Sequence, residues 1–266
     1  MRDATEGENQ PKPQGKALSL FGAADDFNPV RARDQLWTGL PNQLFDTEAL
    51  ARKRVVTAAR AGTNHAAFDL IRTRLLQEMR RNKWTSVAIT SPAAGCGKTV
   101  MSLNLAFSLA HQKECRTLLV DMDLASLEMS RILGFRNPES MERFLQGQIA
   151  EEDLFRRYGT NLGLGVNGRF TPFTAELLQS DKTAGILRNM KCRMKPNVIL
   201  YDLRPMLSGD EVLAFLPNVD CAVLVVAAEE TTAAEIDTCE RQLSEKTNFL
   251  GVVLNKCRYT QEEYGY

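Results

Sequence analysis

Five short apolar runs constrain the fold of this chain more than any other feature: "WTSVAIT" (84–90), "RTLLVD" (116–121), "NVILYD" (197–202), "CAVLVVA" (221–227) and "FLGVVLN" (249–255). Each has strand length and is rich in Val, Ile and Leu. Most lack polar alternation, as strands covered on both faces do. Helical patterns over 98–112, 139–157, 174–194, 209–216 and 231–246 separate them, and "NLGLGVNG" (161–168) is a candidate sixth strand. Ahead of them, residues 64–82 place Phe68, Ile71, Leu75 and Met79 at helical spacing, which predicts an amphipathic helix of about four turns. The alternation predicts an α/β fold, a mainly parallel sheet flanked by helices on both faces.

In such a sheet, ligands sit at the carboxyl ends of the strands. The first run leads into "SPAAGCGKTV" and then a helix. A phosphate-binding loop needs that context, because backbone N–H groups curl around phosphate oxygens and the helix N-terminus adds a favourable dipole. The nucleotide-binding candidates are therefore Ala94, Gly95, Cys96, Gly97, Lys98, Thr99 and Val100. Lys98 would reach the β/γ-phosphates and the Thr99 hydroxyl would ligate Mg²⁺. Pro92 stands where G-x-x-x-x-G-K-[ST] asks for its first glycine, and taken alone "GKT" also fits an ordinary strand–turn–helix.

The second run ends "LLVDMDL", so Asp121 and Asp123 fall at or just past a strand end. They would hold a Mg²⁺ shell or accept a proton from an attacking hydroxyl; each alone also reads as a capping or loop aspartate. The third ends "VILYDLRP" and puts Asp202 where a Mg²⁺-supporting carboxylate belongs in P-loop enzymes. Several acid-bearing strand ends beside one "GKT" end in a single parallel sheet point jointly to a nucleotide triphosphate and Mg²⁺. Catalytic candidates are Asp121, Asp123 and Lys98, and metal candidates are Thr99, Asp123 and Asp202. Asn255 ends the last run and is either a nucleobase partner or a turn residue. Arg258 occupies the Asp position of N-K-x-D, which favours adenine over guanine.

Lys+Arg and Asp+Glu both number 33, so net charge gives no case for nucleic acid. Residues 31–83 hold eleven Lys/Arg against five Asp/Glu, which fits a solvated helix face or contact with an anionic partner. The six cysteines have no C-x-x-C pair, so neither a metal site nor a disulfide framework is expected, and a reducing compartment is the simpler inference. No apolar run approaches the length of a transmembrane helix. The expectation is a cytoplasmic protein that meets the membrane only through a partner. Residues 1–62 read as a poorly ordered extension, 63–256 as the domain, and 257–266 as a tail. That tail, "CRYTQEEYGY", holds Tyr259, Tyr264 and Tyr266 of the chain's five tyrosines.

These segments, together with "RTRLLQEMRRN", "AELLQS" and "VLNKCRYT", resemble the bacterial tyrosine kinases of capsule and exopolysaccharide synthesis, a branch of the P-loop ATPases with deviant Walker motifs. The resemblance covers about residues 64–266. It implies ATP–Mg²⁺ at Lys98 and Thr99, an acidic cluster of Asp121, Asp123 and Asp202, and Asp121 as general base. It also implies Tyr259, Tyr264 and Tyr266 as phosphoacceptors, self-association for phosphorylation in trans, and a transmembrane polysaccharide co-polymerase as activator at the inner membrane.

The sister partitioning ATPases carry a loop lysine where this chain has Ala93, and they lack a tyrosine tail. The departures from the family lie at Ala66 and Asp69 of E-x-x-R-x-x-R, where Arg72 is kept. Arg204 replaces a proline after Asp202, where it would pair with a phosphate or with Asp202. Thr174 replaces the proline of N-P-x-E-L-L. Two other readings stand beside the kinase: an ATP-binding switch module with little turnover, and a partitioning-type ATPase.

Overall fold

The computed structural model describes residues 36–59 and 65–257. The elements begin with α1 (Thr47–Arg52) and α2 (Ala66–Asn82), followed by β1 (Ser86–Thr90), α3 (Lys98–Ala110), β2 (Thr117–Asp121) and α4 (Glu128–Leu133). Next come α5 (Met141–Leu145), α6 (Glu151–Leu154), β3 (Phe155–Tyr158), β4 (Leu162–Gly165), α7 (Ala175–Gln179) and α8 (Asp181–Met194). The chain continues through β5 (Val198–Asp202), α9 (Glu211–Phe215), β6 (Cys221–Ala227), α10 (Ala233–Lys246) and β7 (Asn248–Asn255). One sheet runs β3-β4-β2-β5-β1-β6-β7, parallel throughout except for β3, which pairs antiparallel with β4.

The five apolar runs form β1, β2, β5, β6 and β7. In β1, β2 and β5 every residue is buried, because helices cover both faces. Alternate strand residues feed two cores. Leu118, Val120, Ile199, Tyr201, Leu224 and Val226 face α5 and α8 to α10. Val87, Ile89, Leu119, Leu200 and Val225 face α2 to α4. β2 and β5 align Asp121 with Asp202, which brings the two carboxylates to one level at the same sheet end.

Three expectations are corrected. The pattern read as one helix over 139–157 divides into α5, α6 and strand β3, and α4 was not anticipated. The 174–194 pattern divides at Ser180, whose extended backbone ends α7 and whose side chain accepts from Thr183 N to start α8. Residues 36–59 are no loose extension. Trp37, Leu40, Leu50 and Val55 are buried, and Pro41–Gln43 add a short parallel pairing alongside Arg157 of β3. Asn104, buried within α3, accepts from Val56 N and Thr57 N and donates to the Arg54 carbonyl, so this strap is laced across α3. The tail tyrosines and residues 1–35 lie outside the described residues. Among the described residues no helix is long and apolar enough to cross a membrane.

Candidate active site

The turn from β1 into α3 is built by two left-handed glycines, Gly95 (φ 85°) and Gly97 (φ 88°), the second capping the helix. A Cβ on Gly97 would lie 2.4 Å from Asn255 Nδ2. Asn255 itself donates from Nδ2 to the Cys96 carbonyl at 2.9 Å, so the end of β7 braces the loop. Ala94 and Gly95 are exposed at its crest, Cys96 is buried, and Val100 is half-buried in the first turn of α3. Asn255, expected as a nucleobase partner or a turn residue, thus has its amide nitrogen committed to the loop.

The charged groups converge beneath. Lys98 Nζ donates to Asp123 Oδ2 at 2.9 Å and reaches Thr99 Oγ1 at 3.3 Å. The Thr99 hydroxyl donates to Asp202 Oδ2 at 2.8 Å, and Ser102 Oγ donates to Asp202 Oδ1 at 2.9 Å. Asp121 accepts from the backbone N–H groups of Asp123 and Asn167, each at 3.3 Å. All three carboxylates and Lys98 are buried.

Burial pushes Asp121 well above the usual carboxylate range, and the neighbouring Asp202 and Asp123 push it further. Burial also raises Asp202, against Lys98 and the hydroxyls of Thr99 and Ser102. For Lys98, burial works to lower the pKa, but Asp202, Asp123 and Asp121 outweigh it and hold the ammonium above its ordinary value.

The sequence-predicted Lys98, Thr99, Asp121, Asp123 and Asp202 therefore stand together. Ser102 and the Asn167 N–H are additions. Ser102 had a signal in its place one turn after Thr99, whereas Asn167 lies two residues past β4 without a charged side chain to mark it. Arg204 is corrected: it pairs with Glu211 and not with Asp202. Its backbone carbonyl accepts from Thr90 Oγ1 at 2.7 Å, which ties the segment after β5 to the end of β1. Arg72 is also held within the chain, on Asp69 at 2.6 Å and on Ser108 Oγ at 2.9 Å.

The residues present suit a nucleotide–Mg²⁺ group. Gly97 admits no side chain, because its backbone is left-handed and Asn255 crowds it, and left-handed Gly95 has open space beside it, so backbone is free to meet phosphate at both. Among the described residues no group of three or more His, Cys, Asp or Glu is arranged to hold a metal by itself. Mg²⁺ does not require one, since it binds through one or two protein oxygens together with phosphate oxygens and water.

The family model of the CobQ/CobB/MinD/ParA nucleotide binding domain matches residues 87–264. The chain is 28% identical over 191 residues to tyrosine-protein kinase CpsD of Streptococcus pneumoniae serotype 4, covering 71% of this chain and 83% of that protein. Among solved structures, the VpsO kinase domain superposes with a TM-score of 0.64 at 26% identity, covering 78% of this chain and 98% of that one. The kinase domain of the Escherichia coli tyrosine kinase ETK shares the fold, with a TM-score of 0.67 at 24% identity over 77% of this chain and 82% of that one.

Proposed function

The chain belongs to the CobQ/CobB/MinD/ParA nucleotide-binding domain family, and from that premise we propose that it is an ATP-dependent protein-tyrosine kinase of polysaccharide synthesis and export. The observation that carries this reading is the buried constellation of Lys98 and Thr99 with Asp121, Asp123 and Asp202 at one sheet end. The likeness to named tyrosine-protein kinases, over most of their length, supports a tyrosine hydroxyl as acceptor.

The backbone N–H groups of Gly95 to Thr99 bind the phosphates, and Lys98 compensates charge on the β- and γ-groups. Thr99, with Asp202 behind its hydroxyl, and Asp123 are the residues that would hold Mg²⁺, which supplies neutralisation of the developing phosphate charge. Asp121 takes the proton from the incoming phenol. Burial and the neighbouring Asp202 and Asp123 raise its affinity for that proton. The tyrosine oxygen then bonds to the γ-phosphorus as the bond to the ADP oxygen breaks, and the proton stays on Asp121.

Tyr259, Tyr264 and Tyr266 are the proposed acceptors, presented by another copy of the chain. A transmembrane polysaccharide co-polymerase is the proposed activator and the link to the inner membrane. The test is phosphotyrosine mass spectrometry on purified protein given ATP–Mg²⁺, with and without the activator's cytoplasmic segment. Lys98→Ala is expected to lower the yield by about 100-fold or more. Phosphotyrosine that persists at the wild-type level in Lys98→Ala would sink the reading.

A further inference from the structure

The loop that follows β4 leads away from the acidic cluster and carries two aromatic rings into solvent. Phe170 is 57% exposed and Phe173 is 91% exposed. Phe173 also has φ 53°, a left-handed backbone that costs a bulky L-residue about 1–2 kcal/mol. Neither burial nor a turn requirement for phenyl offsets that cost. The loop itself is firmly braced. Asn167 N donates to Asp121, Thr171 N donates to the Leu124 carbonyl at 2.9 Å, and Gly168 N donates to the Glu139 carbonyl at 2.9 Å. A Cβ on Gly168 would lie 1.8 Å from the Pro138 carbonyl oxygen. Asn167, Gly168 and Thr171 are thereby fixed against the segment after β2, and Phe170 and Phe173 flank the last of them. A bulky residue kept in the left-handed region is a strain of the kind that gathers at functional sites.

We infer that Phe173, with Phe170 and Arg169, is a docking lip for the tyrosine-bearing acceptor, and that its occupant is Arg258–Tyr266 of a second copy of this chain. This rests on the kinase reading above and assigns the residues that choose its substrate. Charge favours the pairing. The acceptor carries Glu262 and Glu263, while Arg169 is exposed and makes no ion pair among the described residues. The nearby carboxylates Glu142 and Glu139 are engaged by Thr171 and Arg143. Aromatic faces on the lip suit tyrosine rings.

Geometry favours a second copy over the same chain. Cys257 follows β7 at one edge of the sheet, and the lip follows β4, with β2, β5, β1 and β6 between them. That is about 24 Å at ordinary strand spacing. The seven residues from Cys257 to Tyr264 span about 24 Å only when fully extended, and of the three tyrosines only Tyr266, at about 31 Å, would reach with slack. Their path would also lie across the loop after β1, where the phosphates bind. A neighbouring copy meets neither constraint.

The experiment uses the full chain with the peptide CRYTQEEYGY as acceptor. Phe173→Asn removes the ring but tolerates the left-handed backbone, and Arg169→Glu reverses the charge. Each is expected to raise the peptide KM about tenfold with kcat within about threefold and ATP affinity unchanged. A KM within twofold of wild type in the combined variant overturns the inference. A second arm measures anisotropy of labelled peptide with Mg²⁺ and a non-hydrolysable ATP analogue. Wild-type chain that binds the peptide no better than the combined variant overturns the lip, whether or not phosphate is transferred. Wild-type chain that binds peptide selectively but never phosphorylates it keeps the lip and sinks the kinase.

Discussion

Gly97 shows how little room the nucleotide loop leaves. Its φ of 88° lies in the left-handed region, and a Cβ there would meet Asn255 Nδ2, the group that holds the Cys96 carbonyl. Gly97→Ala is expected to destabilise the fold by about 1–2 kcal/mol and to weaken nucleotide binding at least about tenfold. Urea unfolding and nucleotide anisotropy would read the two effects separately.

A second residue works at the opposite sheet end. Asp220 accepts from Thr85 N, Ser86 N and Ser86 Oγ, and Lys191 lies 3.8 Å away. Burial opposes ionisation there, but these partners outweigh it and hold the carboxyl below its usual range. A carboxyl lowered on folding stabilises above its unfolded pKa, and the effect is lost as pH falls through the folded value. Asp220→Ala is therefore expected to cost about 1–2 kcal/mol at pH 7, with the gap to wild type shrinking below about pH 4. A gap that stays constant between pH 7 and pH 3 in urea unfolding would show that the carboxylate charge contributes nothing.

Residues of this kind also set how far the sequence could be read. Asp121, Asp123 and Asp202 were legible because each is a carboxylate at or just past the end of an apolar run, and Lys98 and Thr99 because they complete a G-K-T loop between a strand and a helix. Asn167 contributes a backbone N–H that any residue but proline supplies, so its identity carries no signal. Arg204 misled because its partner, Glu211, lies on another element, and proximity in sequence to Asp202 gave no measure of that.

Among the elements, α3 carries the most relationships. Its first turn holds Lys98 and Thr99. Its middle holds Asn104, whose amide satisfies the strap that runs before α2. The strap was illegible in the sequence because it is not periodic. Its order comes from single buried anchors such as Trp37, which donates from Nε1 to the Thr160 carbonyl at 2.8 Å, and from hydrogen bonds to other elements. β3 was illegible for a related reason. "FRRY" is a four-residue edge strand with one fully buried side chain, Phe155, and it continues a helical pattern without a breaker. The buried central strands were readable because covering on both faces leaves a run of apolar residues.

Asn104→Leu preserves volume but strips acceptors from the buried Thr57 N–H and the part-buried Val56 N–H. Leaving buried donors unpaired costs about 1–3 kcal/mol each, so the variant is expected to lose about 2–4 kcal/mol of stability. Hydrogen exchange should rise first at residues 50–59, ahead of β1. Protection of residues 50–59 equal to wild type would show that the strap is held by apolar contact alone.

At the scale of the whole molecule, the arrangement separates a scaffold from a site and joins them through one rigid helix. Three buried carboxylates face one buried ammonium, so the site carries uncompensated negative charge that a bound metal would relieve. The scaffold, two cores on either face of one sheet, tolerates this because each carboxylate is hydrogen-bonded. Ligand binding and strap docking both act on α3, yet Lys98 and Asn104 lie about 9 Å apart along its axis, at 1.5 Å per residue. Interactions separated by that distance and sharing no partner add independently. At a hundred times its dissociation constant, Mg²⁺ with a non-hydrolysable ATP analogue is expected to stabilise wild-type chain by about 2.7 kcal/mol. The same increment is expected in Asn104→Leu, although its starting stability is lower, and none is expected in Lys98→Ala. Thermal unfolding of the three proteins with and without ligand decides it. A smaller increment in Asn104→Leu would mean that the strap sets the position of the phosphate loop, and that whatever binds the strap has a route to the site.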